Sequence, residues 1–95
     1  MTDFRAQAET LIDNYRASHR DSEENVTIAL NVFSAHWTSV FTATQLVKLA
    51  DALYSITLTY ARASEALETL RAARVLRYNT RTMNKEERSY EIRFK

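Results

Sequence analysis

Residues 46–70 of the chain read LVKLADALYSITLTYARASEALETL. This stretch repeats an apolar residue every three or four positions, which is the spacing of one face of an α-helix. Thr42 and Gln45 form a capping-box pattern just ahead of it. We therefore predict one long third helix, Ala43 to Leu70, about 40 Å in length. Its apolar face is Leu46, Leu49, Leu53, Ile56, Tyr60, Ala63, Leu67 and Leu70.

Part of this stretch has a second interpretation. From Tyr54 to Tyr60 apolar residues alternate with serine and threonine, which is typical of a β-strand. A change from helix to strand needs a turn, and no glycine or proline lies between Leu46 and Ala73 to supply it. The helical interpretation is therefore preferred.

Two shorter helices precede the long one. Thr2 or Asp3 is suited to cap the first, which we expect to end near His19 and Arg20. Asp21 or Ser22 is suited to cap the second, which we expect to stop at Phe41 or Thr42. The fold class predicted is mainly α: a three-helix core with a long third helix and a basic C-terminal arm.

Composition excludes several classes of protein. The chain has 95 residues and no glycine, proline or cysteine. Without cysteine it has no disulfides or thiolate metal sites, and without glycine it has none of the usual phosphate-binding loops. It also lacks an apolar run of the roughly 18 residues that span a bilayer. We expect one domain of a soluble, cytoplasmic protein without a membrane segment.

Charge divides the chain near residue 72. Residues 1–70 contain five basic and nine acidic side chains, whereas residues 71–95 contain eight basic and three acidic ones, so the net charges are −4 and +5. We therefore distinguish a helical core and oligomerisation region, residues 1–72, from a basic C-terminal arm, residues 73–95, within the same domain.

The arm alternates apolar and polar residues around 75–82 and again over 90–94. This pattern predicts a β-hairpin or a strand-like arm, with a turn at Met83 to Glu87 in which Asn84 adopts the left-handed conformation. The alternative is a third helix that continues to about Arg88 and leaves a short extended tail.

A stripe of arginines in the arm suggests an anion-binding surface. Guanidinium groups bind carboxylates and phosphates through paired hydrogen bonds, and tyrosines stack on bases. An acidic protein partner is favoured over nucleic acid, and a third possibility is that the stripe pairs with the protein's own acidic helices. The predicted partner-binding residues are Arg74, Arg77, Arg81, Arg88, Tyr78, Tyr90, Ile92 and Phe94; the last three form an apolar edge suited to a partner's sheet.

The long third helix overhangs its neighbours, and self-association would cover its exposed leucines. We expect a homo-oligomer, preferably an antiparallel dimer in which the basic end of one chain faces Glu65 and Glu68 of another. The predicted interface residues are Leu53, Tyr54, Tyr60, Leu67 and Leu70.

No catalytic or cofactor site is predicted. His19 and His36 are the only histidines, and neither has a carboxylate at a metal-ligand spacing. A helix-turn-helix motif is disfavoured because its short glycine-containing turn and compact second helix are absent. The sequence therefore favours a small non-enzymatic interaction module, an adaptor, regulator or inhibitor. Sequence-tolerant nucleic-acid binding by the same arm and small-ligand binding between helices are the alternatives.

Overall fold

The computed structural model describes residues 3–19, 24–80 and 87–94. It is mainly helical and carries a small antiparallel sheet of two strands. In chain order the elements are α1 (Phe4–Ser18), α2 (Glu24–Ala35), α3 (Ala43–Tyr54), α4 (Tyr60–Ala72), β1 (Leu76–Tyr78) and β2 (Tyr90–Ile92). The predicted mainly α class is confirmed, and so is a strand pair in the C-terminal arm.

The predicted long third helix is wrong, because the chain forms two helices there. α3 ends at Tyr54, and Ser55 adopts a left-handed backbone with φ 54°. Its N–H donates to the carbonyl groups of Ala50 and Asp51. α4 then begins at Tyr60, after Thr59 accepts a hydrogen bond from the Arg62 N–H. The described residues therefore contain four helices instead of three.

The cause lies in the serine and threonine residues of the connection. Their side chains bond to nearby backbone groups and favour caps and turns over helix interiors. Leu58 is buried and anchors the connection to the core, while Ser55, Thr57 and Thr59 are exposed. The alternating pattern of residues 54–60 thus marks an extended link between two helices.

Two of the predicted helix starts are confirmed. The Asp3 carboxylate accepts from the Ala6 N–H, and Thr42 and Gln45 form the complete capping box of α3. The predicted caps of the second helix, Asp21 and Ser22, lie outside the described residues. The predicted end of that helix, Phe41 or Thr42, is wrong, because α2 ends at Ala35. Phe41 is extended and exchanges two backbone hydrogen bonds of 2.8 and 2.9 Å with Tyr90.

The sheet packs on the end of α4. β1 and β2 pair Leu76 with Ile92 and Tyr78 with Tyr90, and Phe41 bridges to the outer side of β2. The alternative of a helix reaching Arg88 is wrong, since α4 ends at Ala72. The predicted turn at Met83 to Glu87, including Asn84, lies mostly outside the described residues.

One core joins the helices and the sheet. α2, α3 and α4 each pack against the other two, α1 packs on α2, and β1 packs on α4. Phe33, Leu46 and Leu67 are fully buried from the helices, and Leu76 and Ile92 are fully buried from the strands. Burial of each such side chain stabilises the fold by about 1.5–3 kcal/mol. Because both strands supply such side chains, the C-terminal arm is part of the core. Within the described ranges, no helix combines the length and apolar character needed to cross a membrane.

Candidate functional site

The apolar edge predicted for partner binding faces inward. Tyr90 and Ile92 are buried, with 2% and 0% of their surface exposed. Phe94 is half-buried, and its ring meets those of Phe4 and Trp37 edge-on at 5.0 and 6.3 Å. The alternation in this segment is real, but its apolar face packs on the protein's own helices. It is not available to extend a partner's sheet.

The arginines of the predicted stripe do not form one continuous surface, because, among the described residues, some are paired with carboxylates and others are not. Arg77 pairs with Glu91 at 2.8 Å across the sheet, and Arg88 pairs with Glu68 at 2.6 Å. Arg74 is exposed and Arg81 lies outside the described residues. Because α4 stops at Ala72, these side chains do not share one helix face. For Arg77 and Arg88 the structure shows pairing with the protein's own carboxylates.

Glu68 is the centre of the densest polar contacts. Its carboxylate accepts hydrogen bonds from Arg71 Nε at 2.7 Å, Arg88 Nη1 at 2.6 Å and the Tyr90 hydroxyl at 3.0 Å. The Tyr78 hydroxyl donates to both carboxylate oxygens, at 2.7 and 3.1 Å. We call these five residues the Glu68 cluster. It ties the last turns of α4 to both strands.

The cluster changes the acidity of its members. Burial alone raises the pKa of Glu68, but the hydrogen bonds from Arg71, Tyr78, Arg88 and Tyr90 outweigh it and lower the pKa from 4.5 to about 2. Burial and the hydrogen bond to Glu68 raise the pKa of Tyr90 and of Tyr78. Glu68 is therefore ionised at neutral pH and both tyrosines are hydrogen-bond donors.

The Glu68 carboxylate is saturated by this arrangement. The guanidinium groups of Arg71 and Arg88 also lie over the Tyr78 ring, at 4.8 and 5.3 Å from its centre. A carboxylate with donors on both oxygens has little capacity left for a ligand. The cluster is therefore a structural joint between α4 and the sheet.

A different surface is formed by α3, the five-residue connection 55–59 and α4. The two helices pack together, and the outer side of α4 is exposed from its first turn. The connection has five residues, one or two more than the turn of a helix-turn-helix motif. Ser55 takes the left-handed position that glycine usually occupies in such a turn.

The exposed side of α4 is polar. Tyr60 is 50% exposed, Arg62, Glu65 and Thr69 are also exposed, and Ser64 is half-buried. Beside it lies an open cleft of about 230 Å³, lined by Ala43 at the start of α3, Tyr60, Ser64 and members of the Glu68 cluster. Arg62 and Ser64 were not among the predicted site residues. The signal for them was the run of Ser55, Thr57 and Thr59, which marks the turn before α4.

The predicted oligomer interface divides in two. Leu67 and Leu70 are fully buried in the core of one chain, so they have no surface to offer a second copy. Leu53, Tyr54 and Tyr60 are 44%, 41% and 50% exposed. The helical spacing that predicted an exposed apolar face continues in α4, but there the apolar face is buried in the core.

The histidines have local contacts. The His19 ring stacks on Tyr15 at 4.1 Å, and its Nδ1 lies 3.1 Å from the Tyr15 carbonyl oxygen. The His36 ring is half-buried and lies 6.3 Å from the Phe41 ring. Among the residues that the structure describes, there is no group of three or more metal-binding side chains.

Comparison of the chain with protein-family models, with curated proteins and with solved structures found no match to any of them.

Proposed function

We propose that the protein binds duplex DNA through α3 and α4, which form a helix-turn-helix with α4 as the recognition helix. The observation that carries the proposal is the turn between them. Five residues separate the helices, the left-handed Ser55 ends the first and the Thr59 cap starts the second. In helix-turn-helix proteins the N-terminal residues of the second helix contact base edges in the major groove.

The side chains at the start of α4 have suitable chemistry. A guanidinium such as that of Arg62 forms paired hydrogen bonds to guanine, a carboxylate such as that of Glu65 accepts from cytosine, and the Ser64 hydroxyl bonds to either. Arg62 and Glu65 are exposed and have no mutual ion pair. We assign base contacts to these residues and to Tyr60.

The sheet supplies the other part of the proposed interface. Residues 79–89, which link β1 to β2, include Arg81, Lys85 and Arg88 in their sequence. Cations in this segment are suited to phosphate contacts, which give affinity without sequence information. Arg88, at the described end of this segment, is held to α4 by its contact with Glu68.

We also propose that the protein acts as a homodimer. Leu53 and Tyr54 are neighbours at the end of α3 and expose large apolar surfaces. Covering such side chains stabilises a dimer, and a helix-turn-helix dimer reads two half-sites about one helical turn apart. This proposal leaves no role for addition of the apolar arm edge to a partner's sheet, since Tyr90 and Ile92 are buried.

The DNA proposal is tested by selecting ligands from a duplex library with a randomised centre and measuring affinity by fluorescence anisotropy. We expect selection of a defined sequence, with affinity that falls as salt rises at a log–log slope of about −0.9 per phosphate contact. Arg62→Ala should weaken binding roughly tenfold, because one paired contact to a base is worth 1–3 kcal/mol.

Arg5→Ala is the matched control, since Arg5 is an exposed arginine on α1. It should leave DNA affinity unchanged. Failure to bind any duplex at low salt, or equal losses in the two variants, would overturn the proposal.

The dimer is tested by sedimentation equilibrium. Tyr54→Ala should shift the protein towards monomer while far-ultraviolet circular dichroism stays the same. A wild-type protein that remains monomeric at millimolar concentration would remove the dimer from the proposal without affecting DNA binding by a single copy.

A further inference from the structure

A basic surface lies at the opposite end of α4 from the proposed DNA contacts. It consists of three adjoining clefts of about 290, 300 and 190 Å³. The first two share Arg93, the first and third share Arg74, and the second and third share Leu11 and Asn14. We call this the Arg74–Arg93 surface. It joins the end of α4, the strands and one side of α1.

Its charge has one sign. Among the residues that the structure describes, no aspartate or glutamate lines any of the three clefts, whereas Arg71, Arg74, Arg77 and Arg93 line the first. Arg71 and Arg77 are paired with Glu68 and Glu91. Within the described ranges, no ion pair joins Arg74 or Arg93 to a carboxylate. These two exposed guanidinium groups therefore keep their donors for another molecule.

Arg74 occupies a position where glycine is normally found. Its φ is 64°, and it closes the end of α4 with hydrogen bonds from its own N–H to Arg71 and from the Val75 N–H to Leu70. This is the left-handed position of a Schellman motif, in which a residue with a side chain is strained by about 1 kcal/mol. A strained arginine with an unpaired, exposed side chain points to a function for that side chain.

We propose that the Arg74–Arg93 surface docks an acidic peptide segment of another protein. Carboxylates of the segment bind Arg74 and Arg93, and an apolar side chain enters the cleft lined by Ala6 and Leu11. Guanidinium groups bind carboxylates in paired geometry, and charge complementarity selects the partner.

The size and surroundings of the clefts favour a peptide over nucleic acid. Each cleft has room for one or two side chains, whereas nucleic acid needs a continuous track of phosphate contacts. The Arg74–Arg93 surface lies at the carboxyl end of α4, about 20 Å from the first residue of that helix, Tyr60. The peptide and the DNA therefore occupy different sites.

The test uses a fluorescein-labelled synthetic peptide of alternating glutamate and leucine, with a glutamine–leucine peptide as its neutral counterpart. We expect the acidic peptide to bind and the neutral one to bind at least tenfold more weakly. Arg74→Gly and Arg93→Gln should each weaken binding at least fivefold. Arg74→Gly relieves the backbone strain, so its loss of binding will not reflect unfolding, and circular dichroism checks this directly.

Arg5→Gln is the matched control and should leave peptide affinity unchanged. Chemical-shift changes on titration should concentrate on Leu11, Asn14 and Ala73. Equal binding of both peptides, unchanged affinity in the Arg74 and Arg93 variants, or displacement of the peptide by duplex DNA would each overturn the proposal. The two affinity comparisons contain no DNA, so their results do not depend on whether α4 binds DNA.

Discussion

Ser55 and Arg74 show how this chain makes turns without glycine. Both have positive φ, at 54° and 64°, and each lies at the carboxyl end of a helix. The left-handed region is strained for residues with a Cβ, so each position is held by the backbone hydrogen bonds that close the helix. Helix ends in this protein therefore depend on local hydrogen bonding and on buried anchors such as Leu58.

Ser55→Gly should raise the free energy of unfolding by about 1 kcal/mol, because glycine adopts the left-handed conformation without strain. Urea unfolding followed by circular dichroism measures the change. Ser34→Gly is the control, since Ser34 is exposed but helical in α2 and glycine there should cost about 0.5 kcal/mol. A loss of stability in both variants would contradict the role given to Ser55.

Glu68→Gln should destabilise the fold at pH 7 by roughly 2 kcal/mol, because two arginines lose their carboxylate. Folding lowers the pKa of Glu68 from 4.5 to about 2, so the ionised carboxylate stabilises the folded state. This contribution is complete above the unfolded-state pKa and is lost as the pH falls through the folded-state value.

Unfolding free energies of both proteins should therefore converge between pH 5 and about pH 2, measured by urea titration at each pH. Glu65→Gln is the control, since Glu65 lies exposed on the same helix and should show a constant small difference. A gap between wild type and Glu68→Gln that persists at pH 2 would show that the cluster acts through packing alone.

Among the elements, the starts of α1 and α3 and the end of α1 near His19 were predictable from the sequence, whereas the ends of α2 and α3 were not. Asp3 and the Thr42–Gln45 box are local patterns, so both caps were predictable. The apolar spacing from Leu46 to Leu70 continues in register across the break, so periodicity alone did not reveal two helices. The serine and threonine residues of the connection and the burial of Leu58 together separate them, and burial is a tertiary effect that no spacing rule contains.

The same limit applies to the candidate sites. The arm's alternation predicted strands, but not that Tyr90 and Ile92 face the core. The arginine pattern left partner binding and self-pairing open, and only the fold brings Arg88 to Glu68. Arg62 was missed because residues 55–59 were predicted to be helical, and Arg93 because an isolated exposed arginine has no distinctive sequence context.

β2 is the element whose role changed most, from an exposed arm edge to part of the core. Ile92 is fully buried, so Ile92→Val should cost about 0.5–1.5 kcal/mol and Ile92→Ala about 2–5 kcal/mol. A chain that ends at Ser89 should lose cooperative thermal unfolding. If that shortened chain keeps the wild-type melting temperature, the strand is a separable arm after all.

At the scale of the whole molecule, the acidic front of the chain and its basic end fold onto each other. Residues 1–70 have a net charge of −4 and residues 71–95 a net charge of +5. Arg88 joins the two parts through Glu68, while Arg77 is paired within the arm through Glu91. Part of the attraction between the two parts is therefore satisfied at Glu68 inside one chain. Among the described residues, Arg62, Arg74 and Arg93 are exposed and form no ion pair with a carboxylate.

This charge arrangement predicts that salt weakens the fold. Raising sodium chloride to about 0.5 M shortens the screening length and should lower the free energy of unfolding by about 1 kcal/mol, since part-exposed ion pairs contribute up to about 1 kcal/mol each. Glu68→Gln should show about half of this sensitivity, because Arg71 and Arg88 both pair with Glu68. The measurement is urea unfolding at low and high salt, repeated at tenfold higher protein concentration. Because the pairs lie within one chain, the salt effect should not change with concentration, whereas pairing of the basic end with Glu65 and Glu68 of a second copy would make it concentration-dependent.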